Sequence, residues 1–203
     1  MAISPEKITR RTATLDDAAG LLEIYAPYVE KTAISFEYEV PSIEEFRGRM
    51  SRIMQKHPFI VAEKDGELSG YAYTGPFVGR AAYDWAAEST IYLKENKRKT
   101  GLGRRLYGVL EAVSGAQNIL NLNACIGIPE REDEHLTCNS LRFHEHMGYR
   151  LVGEFRKCGY KFGAWYSMVW MEKWIGEHLV APAPVVPFPE LDRELLRTLG
   201  LRK

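Results

Sequence analysis

Arg98-Lys99-Thr100-Gly101-Leu102-Gly103 separates a strand-like run, residues 89–93, from an amphipathic helical run, residues 104–113. Gly101 and Gly103 carry no Cβ, so the backbone can turn tightly there and bring its N–H groups against a ligand oxygen. The helix that follows aims its free N–H groups and positive dipole end at the same space, which suits a phosphate or pyrophosphate. Arg98, Lys99, Arg104 and Arg105 add mobile positive charge. The spacing excludes a P-loop, which needs Gly-x-x-x-x-Gly-Lys-Ser/Thr, and a dinucleotide fingerprint, which needs Gly-x-Gly-x-x-Gly with an acidic residue about twenty positions on.

Working outward, 203 residues suit one domain with a core that needs neither disulfide nor metal. The 27 basic residues balance the 27 acidic ones. No global field draws in nucleic acid or an anionic membrane, and neither is an expected partner. Cys125, Cys138 and Cys158 are odd in number and show no Cys-x-x-Cys spacing, so they read as reduced thiols of a cytoplasmic protein, with no metal site. The polar N-terminus and the lack of an apolar run of 18 residues give no sign of export or membrane spanning.

Periodicity alternates between helix and strand. A strand is expected over 8–11, and Thr14 with Asp17 caps a helix that carries Ala18, Leu21, Leu22 and Tyr25. Ser42 and Glu45 form a capping-box pattern ahead of Phe46, Met50, Ile53 and Met54. Strands over 59–63 and 68–73 flank Asp65-Gly66, a hairpin signal. A strand over 85–93 runs into the glycine loop. A strand over 119–127, a short helix over 139–147, and strands over 149–155 and 165–174 follow, the last two joined by an antiparallel excursion at 159–163. From Ala181 the prolines at 182, 184, 187 and 189 forbid regular structure, while 191–199 suits a short helix. That tail either wraps the surface or a partner subunit, or is a frayed end.

The pattern Arg-x-x-Gly-x-Gly between strand and helix resembles the acyl-CoA pyrophosphate loop of the GCN5-related N-acetyltransferases (GNAT). The resemblance extends to Ser35-Phe36-Glu37, to Gly70-Tyr71-Ala72-Tyr73-Thr74-Gly75-Pro76-Phe77, to Arg80, Ala82-Tyr83 and Glu88-Ser89, and to His144-Glu145 ahead of Gly148-Tyr149. Together these are similar to the phosphinothricin N-acetyltransferase subfamily, which includes methionine sulfoximine and sulfone acetyltransferases. It covers residues 7–174. It implies an α/β (α+β) fold, a single GNAT-type domain over 1–176 with a proline-rich extension over 177–203. The sheet would be mixed and mostly antiparallel, of about seven strands flanked by helices and splayed between strands four and five. It also implies acetyl-CoA as cofactor, a small-molecule amine as substrate and a homodimer, in keeping with the aromatic run Phe162, Trp165, Tyr166, Trp170 and Trp174.

Acetyl transfer from a thioester needs a neutral amine, a donor for the carbonyl oxygen and a proton for the departing thiolate. Glu88 follows Trp85-Ala86-Ala87, an apolar run that desolvates it and raises its pKa, and the resemblance puts the subfamily's glutamate base there. His144 lies where many superfamily members carry the tyrosine that protonates the thiolate; imidazolium can supply that proton, and packing or cofactor contact are the other roles open to it. The resemblance gives free backbone on Ile91, Tyr92 and Leu93 to the pantetheine arm, and Arg98, Lys99, Thr100, Gly101, Leu102, Gly103 and Arg104 to the pyrophosphate. Asn139 would contact the cofactor too, although Thr137 stands where the family usually has that asparagine and the loop over 130–136 is lengthened. For the substrate the resemblance nominates Phe36, Tyr73, Val78, Gly79, Arg80 and Tyr83. Val78 stands where the subfamily has a basic residue, which costs roughly one to a few kcal/mol toward a doubly anionic ligand. Arg80 can still grip a carboxylate or phosphinate. A different acceptor, such as a polyamine, an antibiotic or a protein N-terminus, and a non-catalytic CoA-binding module are the alternatives.

Overall fold

The computed structural model describes residues 8–97 and 100–202. Seven strands form one sheet in the order β1-β2-β3-β4-β5-β7-β6. They are β1 (Ile8–Thr12), β2 (Phe59–Lys64), β3 (Glu67–Pro76), β4 (Ala86–Leu93), β5 (Asn121–Ile128), β6 (Arg150–Lys161) and β7 (Ala164–Trp174). Every pairing is antiparallel except β4 with β5. The helices are α1 (Ala18–Lys31), α2 (Ile43–Met54), α3 (Leu102–Ala116), α4 (Asn139–His146) and α5 (Arg193–Thr198).

Alternation along β2 sorts the core. Phe59 and Val61 pack with Leu21, Ile24, Val29, Phe46 and Met50 of α1 and α2, while Ile60 and Ala62 turn to the other face against Leu106, Leu110 and Val113 of α3. The helix starts follow local chemistry. Ser42 Oγ accepts from the Glu45 N–H at 3.1 Å, and Thr14 with Asp17 completes a capping box at the short 3-10 turn before α1. Asp65 and Gly66 close the β2–β3 hairpin with φ of 53° and 88°, the paired left-handed values that a two-residue turn needs.

Two expectations change. The 159–163 excursion is a continuation of β6, which runs twelve residues to a two-residue turn at Phe162 and Gly163, both with positive φ. Glycine 159 suggested a break; instead the register slips between Phe155 and Gly159 and the ladder resumes. The tail is not frayed. Phe188, Leu196 and Leu201 are buried with α3, and Arg202 pairs with Arg11 at the edge of β1 through Arg202 N to Arg10 O at 2.9 Å and Thr12 N to Arg202 O at 3.2 Å. Within the described part of the extension, 177–202, the chain therefore shares the core of the sheet and covers part of an otherwise open edge.

The β4–β5 ladder holds for only three register pairs, from Ala86 with Asn121 to Glu88 with Asn123. Beyond it side chains replace the ladder: Ser89 Oγ donates to the Asn123 carbonyl at 3.0 Å. The two strands then part around a cleft.

Candidate active site

The cleft has a volume of about 670 Å³, within the range of small-molecule sites. Glu88, Ser89, Thr90 and Ile91 line it from β4, and Ala124, Cys125, Ile126 and Gly127 from β5. Tyr107 and His144 reach it from α3 and α4, and Ser35, Phe36, Glu37 and Tyr73 close one end. Of the residues nominated from sequence, the fold thus gathers Phe36, Tyr73, Glu88, Ile91, Tyr92 and His144 in one place.

Glu88 belongs to the last register pair before the strands part. Its carboxylate is partly buried and makes no hydrogen bond or ion pair among the described residues; burial pushes its pKa above the usual carboxylate range. An unpaired, desolvated carboxylate at the fork of two strands is suited to accept a proton from a ligand amine.

Behind it the hydrogen bonds fix a proton arrangement. The Ser140 carbonyl can only accept, so His144 Nδ1 donates to it at 2.7 Å, and Nε2 then accepts from Tyr107 Oη at 2.9 Å. Ser89 Oγ, which donates to the Asn123 carbonyl, accepts from Tyr149 Oη at 3.0 Å. Burial lowers the His144 pKa to about 4. His144 is therefore neutral near neutral pH, which favours the packing role open to it over that of an imidazolium acid, and its ring orients Tyr107. Tyr107 went unnoticed in the sequence because its spacing reads as ordinary core, and Tyr149 stands out there only as part of the Gly148-Tyr149 pattern.

At the other end of β4, Gly101 caps α3 with φ of 80°, a left-handed conformation that a side chain would strain. Helix α3 begins at Leu102, earlier than the sequence suggested, so Leu102, Gly103 and Arg104 belong to its first turn and their N–H groups lack intrahelical partners. A Cβ on Gly103 would lie 3.2 Å from the Phe143 ring, so this glycine admits α4 beside the loop. Thr100 Oγ1 is bonded to the Lys97 carbonyl at 2.7 Å, and Arg104 is exposed. Arg98 and Lys99 lie outside the described residues. On β4, Leu93 differs from expectation: its N–H and carbonyl are both engaged by Tyr28 Oη, at 3.1 and 2.7 Å. Lys94 turns its N–H to Ser69, so alternation points Tyr92 toward β3 and leaves Ile91 with its backbone groups toward the gap. Asn139 opens α4 but does not line the cleft.

The acceptor end departs furthest. Val78, Gly79, Arg80 and Tyr83 are exposed and absent from the cleft lining, with Tyr83 packed edge-on against Phe77. Arg49, which the sequence did not single out, instead pairs with Glu37 at 2.6 Å behind the cleft wall. Tyr166, part of the aromatic run considered for a dimer, is buried and donates to Asp133 at 2.9 Å, whereas Trp165 and Trp174 are exposed.

The profile of the acetyltransferase (GNAT) domain matches residues 11–170. The chain belongs to this family. It is 34% identical over 191 residues to the phosphinothricin N-acetyltransferase of Streptomyces viridochromogenes, covering 93% of this chain and all of the relative. It is 26% identical over 179 residues to the L-methionine sulfoximine/L-methionine sulfone acetyltransferase of Salmonella typhimurium, covering 87% of this chain and 99% of that one. The crystal structure of a GNAT superfamily phosphinothricin acetyltransferase from Sinorhizobium meliloti in complex with AcCoA superposes with a TM-score of 0.78 at 27% identity, over 89% of this chain and 98% of that one. As a GNAT enzyme the protein is an N-acetyltransferase whose acyl donor is acetyl-CoA. The parted strands, the left-handed Gly101 and the free N–H groups of the first turn of α3 fit that donor. No helix among the described residues is long and apolar enough to cross a membrane.

Proposed function

We propose that this acetyltransferase modifies the α-amino group of a small amino-acid-like acceptor of the phosphinothricin, methionine sulfoximine or methionine sulfone type, with Glu88 as general base. The observation that carries the reading is the unpaired, partly buried Glu88 carboxylate at the mouth of the parted strands. Two of the chain's relatives bear those substrates in their names. When bound, acetyl-CoA supplies an acetyl group activated as a thioester. The backbone of Ile91 and the first-turn N–H groups at 102–104 would hold it, with Arg104 and the sequence-nominated Arg98 and Lys99 beside its phosphates.

Glu88 takes a proton from the acceptor ammonium, which leaves the amine nucleophilic. As the tetrahedral adduct collapses, its nitrogen loses a second proton while the departing thiolate gains one, and Tyr107, which reaches the cleft with its hydroxyl oriented by the neutral His144 Nε2, would relay that proton from nitrogen to sulfur. Phe36 and Tyr73 form the acceptor walls. A homodimer is part of the proposal. Leu151 and Val152 on the edge strand β6 are each 60% exposed and Trp165 on β7 57%, an apolar surface that a second chain would cover. Such a pair is also a route by which the exposed Arg80 and Tyr83, which do not line their own cleft, would meet an acceptor. The free thiols suit a reducing compartment, the cytoplasm.

Thiol release from acetyl-CoA, measured against phosphinothricin, methionine sulfoximine, methionine sulfone, ordinary amino acids, a polyamine and an aminoglycoside, tests the proposal. Selective turnover of the amino-acid analogues is expected, with phosphinothricin the poorer of them because Val78 replaces a cation. Preference for the polyamine or aminoglycoside would overturn the acceptor class.

A further inference from the structure

Lys161 is the last residue of β6 and is only 3% exposed. Its three ammonium protons find three backbone carbonyls: Val29 at 2.7 Å, Thr32 at 2.9 Å and Ser35 at 2.8 Å. No carboxylate forms an ion pair with it among the described residues. Val29 lies in the last turn of α1 and Thr32 is its C-cap, so the negative end of the helix dipole faces the ammonium, and the more distant Glu37 carboxylate adds opposing charge. The third carbonyl belongs to the stretch after α1, which has no regular structure of its own before α2 and carries Ser35, Phe36 and Glu37 into the cleft.

Further ties join the same two segments. Tyr38 Oη donates to the Tyr160 carbonyl. The Phe36 ring lies directly on Gly159, where a Cβ would come within 2.4 Å of it, whereas a Cβ on Gly127 of β5 would meet the ring at an ordinary contact of 3.6 Å. The lengthened 130–136 loop docks on the same place: Ala33 N donates to the His135 carbonyl at 3.0 Å, and His135 stacks on Phe162 at 4.0 Å.

Building on the acceptor assignment above, we infer that Lys161 is a positioning residue that sets acceptor affinity by clamping the 32–37 segment to the β6–β7 hairpin. The lysine acts at a distance from the reacting atoms, through Phe36. Its ammonium replaces the regular hydrogen bonds that this segment lacks, and removing it would leave three buried carbonyls unpaired at the helix end.

Lys161→Met keeps the aliphatic stem and removes the donor. With methionine sulfoximine, or whichever panel amine the parent acetylates fastest, the acceptor KM should rise tenfold or more while acetyl-CoA affinity stays within twofold. Amide hydrogen exchange over 34–38 should quicken at least tenfold. Glu111→Gln, which releases Lys173 from its 2.7 Å ion pair, is the control: it should lower stability and leave acceptor KM alone. An unchanged acceptor KM in folded Lys161→Met, or an equal rise in Glu111→Gln, overturns the inference. Should Lys161→Met not fold, Tyr38→Phe cuts another tie at an exposed hydroxyl; a few-fold rise in acceptor KM supports the clamp and none overturns it. If the parent acetylates no amino-acid analogue, the acceptor class has failed, and the exchange rates over 34–38 alone decide the clamp.

Discussion

The two ends of the cleft are built by different means. The donor end rests on regular elements: β4 leaves its partner after three pairs, and α3 starts at a left-handed glycine with its first N–H groups open. Backbone does the work there, so the positions of the polar groups follow from secondary structure itself. The acceptor end is an assembly of irregular segments, 32–38 and 130–136, held against the β6–β7 hairpin by Lys161, Tyr38 and His135. A site made of backbone is hard to retune without breaking a helix or strand. One made of tied loops can change its ligand by a few side-chain substitutions, and Phe36 and Glu37 are the side chains that such a change would reach.

Glu88 stands where the two ends meet, and its replacement should have the largest effect. Glu88→Gln is expected to slow acetyl transfer roughly 10²–10⁴-fold while acetyl-CoA binding is little altered, as general base catalysis contributes about that much. A rate within a few-fold of the parent would reject the base and leave the comparison without its pivot.

The floor joining the ends, the Tyr107–His144 network behind Glu88, should show itself in stability. His144 has a pKa lowered to about 4 by burial, as has His57, buried beside Thr74 of β3 outside the cleft, so the unfolded chain binds more protons than the folded one below pH 6.5. Stability is therefore intact above 6.5 and falls as pH drops toward 4, by about 3 kcal/mol for each histidine. Urea midpoints measured across that window should decline in the parent and decline less steeply in His144→Gln. Parallel curves would mean that His144 is charged or solvated in the folded protein.

The smallest effect is expected at the donor end alone. Among the described residues no atom lies within 4 Å of where a Cβ on Gly101 would sit, so Gly101→Val should act through φ strain, about 1–2 kcal/mol, and weaken acetyl-CoA binding about tenfold. Acceptor KM should hold steady. Calorimetric titration showing unchanged acetyl-CoA affinity would sink the cradle.

Much of the donor end was legible in the chain because it is local. Gly101 precedes the helix it caps by one residue, and the apolar run before Glu88 already announces a desolvated carboxylate. The β2–β3 hairpin could be read from Asp65-Gly66 for the same reason. The floor was legible only in part: His144 was found, but its neutrality depends on Tyr107 and Ser140 from two helices and on burial that no spacing displays. Lys161 falls inside the excursion expected over 159–163 with no role of its own there, and the sequence leaves the tail open between a wrapping segment and a frayed end.

The sequence by itself determined the order of elements, the helix caps and the tight glycine turn ahead of α3, since each rests on residues a few positions apart, and it carried membership of the GNAT family in several short motifs along the chain. Only the tertiary structure decided that β4 and β5 part beyond Glu88, that Val78 and Arg80 stand away from their own cleft, and that Lys161 meets carbonyls 126 to 132 residues away in the chain. The reason is physical. Capping and turn preferences are local free energies written in adjacent side chains, whereas burial, splay and long-range hydrogen bonding exist only once distant segments share a core.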